Sequence, residues 1–135
     1  MNIQLYANKA VGFNLIRRDE IDEFEKLEEF GFDYKPVFDD ECSFEFRVFF
    51  RIRLKVNETH LLLMEYESTF KLEEAVDNNF INSHFPHVNA PAIAFPYLRA
   101  FISTLLLNAG YEPIMLPSIN FSALYKEKEA EILKD

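Results

Sequence analysis

The chain has 135 residues, the length of one domain, and 49% of them are hydrophobic, with fifteen Phe and no Trp. A net charge of −9 disfavours nucleic acid and anionic membrane surfaces as partners. Cys42 stands alone, which excludes an internal disulfide and fits a reducing cytoplasm; MNIQLYANKA lacks the pattern of a signal peptide, and no apolar run approaches the ~20 residues of a membrane span, so no membrane insertion is expected.

Met1 to Ile16 reads as a first strand: Ile3 and Leu5 alternate with polar neighbours, then Val11, Phe13 and Leu15, and Gly12 marks a bulge or bend. Asp19 to Glu29 reads as a solvated acidic connector; Ile21, Phe24 and Leu27 recur at three-residue spacing, which leaves a short helix open. Phe30, Phe32 and Tyr34 alternate as a second strand, and Pro36 confines it to an edge or an end.

Ser43 to Val56 is the clearest strand. Phe44, Phe46, Val48, Phe50, Ile52, Leu54 and Val56 share one face, and Arg47, Phe49, Arg51, Arg53 and Lys55 share the other. His60 to Leu72 places Leu62, Met64, Tyr66, Ser68, Phe70 and Leu72 against that first face. A two-residue turn would set Phe50 opposite Glu65. A three-residue loop, Asn57-Glu58-Thr59, sets Ile52 against Met64 and Arg51 against Glu65, and parity selects it.

Glu73 to Val88 has no clean period yet keeps Phe80, Ile81 and Phe85, so it is packed down or used for binding. A helix then follows Asn89, a candidate N-cap, with Pro91 near its start and Pro96 marking a kink or a later start; it closes at Gly110. Tyr97, Leu98, Phe101, Ile102, Leu105 and Leu106 form a stripe that Ala94, Ala100 and Leu107 widen. A helix on one small domain needs an apolar face of about 100°. This one is wider, so a second subunit is expected on its outer side. Tyr111 to Ile119 is extended between prolines, and Asn120 caps a last helix with Phe121, Leu124, Tyr125 and Ile132 on its apolar face. Strands first and helices after them make the fold class α+β, a four-stranded antiparallel sheet with two C-terminal helices on one face, in a single domain spanning residues 1–135.

Catalytic chemistry finds little support. His84 and His87 flank Pro86 and form a weak metal pair, Cys42 has no nucleophile motif, and the Arg residues facing Glu65 and Glu67 account for those carboxylates. Three Gly cannot build a phosphate loop. No enzyme, cofactor or metal site is expected. Surplus apolar side chains point instead to binding of extended polypeptide, to a subunit interface, or to both.

The run FPYLRAFISTLLLNAGYEPIMLPSINFSALY resembles the C-terminal half of the SecB-type export chaperones. The shared elements are Phe-Pro-Tyr-x-Arg at the helix entry, a Gly after that helix, and Pro-x-x-Asn-Phe-x-Ala-Leu-aromatic opening the last one. The likeness extends weakly back over the Arg-rich strand, LLMEY and IQLYANKAVGF. It implies a homotetramer built as a dimer of dimers, with helices between the dimers, and ATP-independent holding of unfolded preproteins. It implies client-binding positions at Phe70, Phe80, Ile81, Phe85, Phe121, Leu124 and Tyr125, and docking of the SecA export motor at Leu63 and Glu65. Ala10 and Asn14 stand where the family carries acidic residues for that docking, and the chain stops at Lys134-Asp135 without the family's acidic tail. Those departures fit a chaperone dedicated to one client, such as an antitoxin, or a binding protein of this fold without general chaperone activity.

Overall fold

The computed structural model describes residues 2–39 and 43–134. Four strands, β1 (Ile3–Arg17), β2 (Phe30–Phe38), β3 (Glu45–Val56) and β4 (His60–Leu72), form one antiparallel sheet in the order β1-β4-β3-β2. A single turn, α1 (Asn78–Ile81), then leads to the long helix α2 (Ala90–Asn108) and the last helix α3 (Phe121–Lys134).

The β3–β4 hairpin has the register that parity required. Val56 pairs with His60, leaving Asn57, Glu58 and Thr59 as the loop, and Ile52 meets Met64 while Arg51 meets Glu65. Asn57 and Glu58 both adopt left-handed backbone, which brings the chain round in three residues. Phe46, Val48, Phe50, Ile52, Leu54, Leu62, Met64 and Phe70 thereby share one face, and all are buried in the core between the sheet and the segments that follow it. Phe44 does not share their fate. It precedes the strand and stays exposed, with no described residue closing over it.

β1 carries two irregularities, between Leu5 and Ala7 and between Ala10 and Gly12. Each extra residue shifts the alternation by one, so Phe13 and Leu15 return to the helix side while Val11 is left exposed. β2 lies at the sheet edge, where Pro36 costs no ladder hydrogen bond on its outer side.

The acidic connector is not solvated throughout. It forms two short 3-10 turns, Arg18–Glu20 and Phe24–Lys26, and Phe24 is only 1% exposed. Lys55 Nζ and the Arg18 guanidinium each lie 4.7 Å from the centre of its ring. Two cations against one aromatic ring hold the excursion against the sheet's outer side, each contributing on the order of 1 kcal/mol.

Asn89 is helical and makes no capping bond, so the helix does not start there. A π-type turn, Phe85–Asn89, runs straight into α2, and Pro96 lies inside the helix. Pro91 has no N–H to offer the carbonyl of His87 four residues back. That oxygen accepts the Tyr34 hydroxyl instead, at 2.9 Å. Gly110, at φ 98°, closes the helix, and the Tyr111 N–H reaches the Leu106 carbonyl at 2.8 Å. The continuous helical stretch Phe85–Asn108 is, by length and composition, enough to cross a bilayer, with a mean hydropathy of 1.5 over its most apolar part. Here it is the core helix: Ala94, Phe95, Leu98, Ile102 and Leu106 are buried on the sheet side.

Candidate polypeptide-binding surface

The crossing segment between β4 and α2 is packed down. Asp77 caps α1 by accepting from the Phe80 N–H at 2.8 Å, and the buried Phe80 ring meets Phe46 edge-on at 5.3 Å. His87 Nε2 donates to the Ile81 carbonyl at 2.7 Å, which ties the two ends of the segment together.

α3 lies along this segment. Asn120 caps it, accepting from the Ala123 N–H at 3.0 Å. Tyr125 stacks on His87 at 4.7 Å and meets His84 edge-on at 5.4 Å. Phe121 meets Tyr34 at 5.0 Å and Phe95 at 5.8 Å. Lys128 Nζ donates to the Tyr34 carbonyl at 2.8 Å and sits 4.0 Å above the Tyr34 ring. Tyr34 is therefore the joint between β2, the crossing segment and α3.

The candidate client residues divide in two. Phe70, Phe80 and Phe121 are core residues, whereas Ile81, Phe85, Leu124 and Tyr125 are half-buried along the seam between the crossing segment and α3. The seam is closed. Of the other three, Phe70 and Phe80 pack on Phe46, and Phe121 packs on Tyr34 and Phe95.

Tyr34 reports on that joint. Burial, with Asp33 and Tyr125 adding smaller effects, pushes its hydroxyl up to about 12 from an ordinary value of 10.0. A raised folded value favours the folded state while the phenol is neutral, and that advantage is lost as pH rises from the unfolded value through the folded one. Stability should thus hold to about pH 10 and fall toward pH 12. Tyr66 and Tyr125, raised first by burial, act in the same direction. Tyr34→Phe should lose ~1 kcal/mol at neutral pH with its hydrogen bond, and show a shallower alkaline fall in urea-unfolding midpoints. An unchanged alkaline slope would remove Tyr34 from this role.

A second apolar surface is open. Ile93, Tyr97, Ala100, Thr104 and Leu107 recur at alternating spacings of four and three along α2, and all five are exposed. Phe13 of β1 extends the strip, meeting the half-buried Phe101 edge-on at 6.4 Å. On the helix's other flank, Pro96, Arg99 and Ala100 face Pro113, Ile114 and Met115 across a groove of about 570 Å³, and Met115 is 91% exposed. Sequence reading picked out α2 but passed over Met115. Its signal was a large apolar residue in a Pro-bounded extended stretch, where no period marks a buried side.

The remaining candidates are placed as follows. Leu63 and Glu65 lie on the outer face of the sheet, Glu65 with Arg51 at 3.7 Å. Asn14 shares that face, while Ala10 turns to the helix side opposite Tyr66. Among the described residues no three potential metal ligands cluster, and His84 and His87 both serve as walls for Tyr125. Cys42 lies outside the described residues.

The family model described as preprotein translocase subunit SecB matches residues 29–132. A protein-export protein SecB from Magnetococcus marinus is 30% identical over 115 residues, which cover 81% of this chain and 70% of that one. SecB 1 of Polaromonas naphthalenivorans is 27% identical over 76% of this chain and 65% of its own length. Among solved structures, the Mycobacterium tuberculosis Rv1957 SecB-like chaperone, in complex with a peptide from the HigA1 antitoxin, aligns with a TM-score of 0.60 at 11% identity, over 87% of this chain and 89% of that one. A Streptococcus agalactiae protein of unknown function aligns with a TM-score of 0.62 at 10% identity, over 87% of this chain and 98% of its own. At such identities the structural likeness concerns the fold.

Proposed function

The chain belongs to the SecB family, a family of chaperones rather than enzymes, and from that premise we propose that it is an ATP-independent holding chaperone. It binds unfolded or extended polypeptides, preproteins for export among them, in the cytoplasm. The observation that carries this reading is the open apolar strip over α2, β1 and the Pro-bounded connector, on a chain whose net charge of −9 keeps it dispersed. The Ile93–Tyr97–Leu107 side of the strip joins copies of the chain into a homotetramer, a dimer of dimers. The groove beside Met115 and the seam at Ile81, Phe85, Leu124 and Tyr125 take clients.

The two curated relatives named above are protein-export proteins, which favours an export role over a single dedicated client. The Mycobacterium tuberculosis neighbour with its antitoxin peptide supports peptide binding on this fold. Leu63 and Glu65 are the places on this chain for contact with an export motor, but the half-buried Ala10 and the uncharged Asn14 leave that contact without an acidic flank.

The purified protein should suppress light scattering from a reduced, unfolded client at stoichiometric ratio without nucleotide. No suppression at any ratio would replace this reading with a SecB-fold binding protein that does not chaperone.

A further inference from the structure

β2 ends the sheet on one side, and an end strand shows a row of unpaired N–H and C=O groups to which another strand can add. Which groups of β2 face outward follows from its pairing. The Lys55 N–H donates to the Glu29 carbonyl at 3.0 Å, and antiparallel bonding alternates along a strand. Odd-numbered residues here therefore turn their backbone to β3, and even-numbered ones turn it to the free edge. Phe30, Phe32, Tyr34, Pro36 and Phe38 are the edge positions. The middle of that edge is closed. The Tyr34 N–H donates to Asp33 Oδ1 at 2.9 Å, and the Tyr34 carbonyl accepts from Lys128 Nζ of α3 at 2.8 Å. Asp33 and Lys128 pair with each other at 3.7 Å, and the ammonium lies 4.0 Å from the centre of the Tyr34 ring. Pro36, the next edge position, has no N–H to offer.

We propose that Asp33, Lys128 and Pro36 act together as a guard that keeps the β2 edges of two copies of the chain from pairing strand to strand. Two identical edges can pair antiparallel about a two-fold axis, so an open β2 would be complementary to itself. Such a ladder needs outward groups at every second residue, about 6.6 Å apart. The guard withdraws both groups at Tyr34 and the donor at Pro36, and leaves Phe30 with Phe32 on one side and Phe38 alone on the other. Neither remnant is long enough for a ladder of ordinary length. Copies brought edge to edge would also have to displace both Lys128 ammoniums and both Asp33 carboxylates from their present bonds, and desolvate them. α3 thus has a second task beside covering the seam: one of its side chains terminates the sheet.

The inference does not rest on the holding activity, and its test uses the intact protein. Asp33→Ala removes the acceptor for the Tyr34 N–H, Pro36→Val restores a donor, and Lys128→Met keeps the stem while removing the ammonium. In sedimentation velocity the triple variant should form species heavier than the wild-type assembly, at concentrations about tenfold or more below any at which the wild type does so. Amide exchange at Phe32 and at position 36 should slow as those species form. Asp33→Asn in place of Asp33→Ala keeps an acceptor and should move the concentration part of the way back. Lys126→Met with Glu127→Ala, exposed on the same helix, should leave the wild-type mass unchanged. A triple variant with the wild-type mass across the same concentrations would overturn the proposal, as would heavier species in which exchange at those two positions does not slow. If circular dichroism shows the triple variant unfolded, Asp33→Ala with Pro36→Val, which leaves Lys128 in place, decides between the same two results.

Discussion

Tyr97→Asp combined with Leu107→Asp is expected to split the proposed tetramer at its α2 contact, leaving folded dimers. Both side chains are more than half exposed in the isolated chain, at 53% and 60%, so neither supports the fold of one copy. Surface changes of that kind usually alter stability by less than ~0.5 kcal/mol. In a two-fold interface each substitution counts twice, because the same stripe faces itself. Burying a Leu or Tyr side chain there contributes roughly 1.5–3 kcal/mol, and an unpaired carboxylate in its place adds a desolvation cost of several more. The combined loss exceeds what a standard-sized interface can absorb. Native mass spectrometry of both proteins, with a thermal melt to confirm folding, measures the result. A wild type already monomeric, or a variant that stays tetrameric, would remove α2 from the interface.

Phe46→Ala is expected to destabilise the chain by about 3–5 kcal/mol, the range for removing a fully enclosed aromatic ring. Total stabilities of domains are about 5–15 kcal/mol, so little would remain. The Phe46 ring is completely buried; it stacks on Phe70 at 5.2 Å and on Phe38 at 5.8 Å, and receives the edges of Phe80 at 5.3 Å and Phe85 at 6.5 Å. It thus joins β2 and β4 to the crossing segment. The substitution should also loosen that segment, giving faster amide exchange from Phe80 to Val88. Phe44→Ala supplies the contrast, since its ring is exposed and its loss should cost under ~0.5 kcal/mol. Urea unfolding of both variants measures the difference, and similar costs at the two positions would refute the assignment of Phe46 as the fastener.

The strands and their pairing could be read because side-chain alternation in β3 and β4 leaves one way to bring both apolar faces to the same side. That parity selected the Asn57–Thr59 loop and set Arg51 opposite Glu65. The stop at Gly110 and the cap at Asn120 were legible for a similar reason, because both are local backbone requirements. Phe24 was not legible. Its acidic neighbours mark the segment as solvated, and only the distant Lys55 and its neighbour Arg18 show what covers its ring. The entry to α2 was misread at Asn89 for a related reason: the His87 carbonyl is satisfied by Tyr34, which lies 53 residues away along the chain.

Residue order alone therefore established the α+β class, the hairpin register, and an apolar excess on α2 and the crossing segment. Period and parity are short-range properties, and they survive without knowledge of the rest of the chain. Which apolar side chains are hidden was decided by the folded arrangement. Phe44 and Phe46 share one alternation, yet one is exposed and the other completely enclosed. Phe70, Phe80 and Phe121 are core, while Tyr97, Leu107 and Met115 stand in solvent. Burial depends on what lies across the space from a side chain, and that neighbour belongs to another part of the chain.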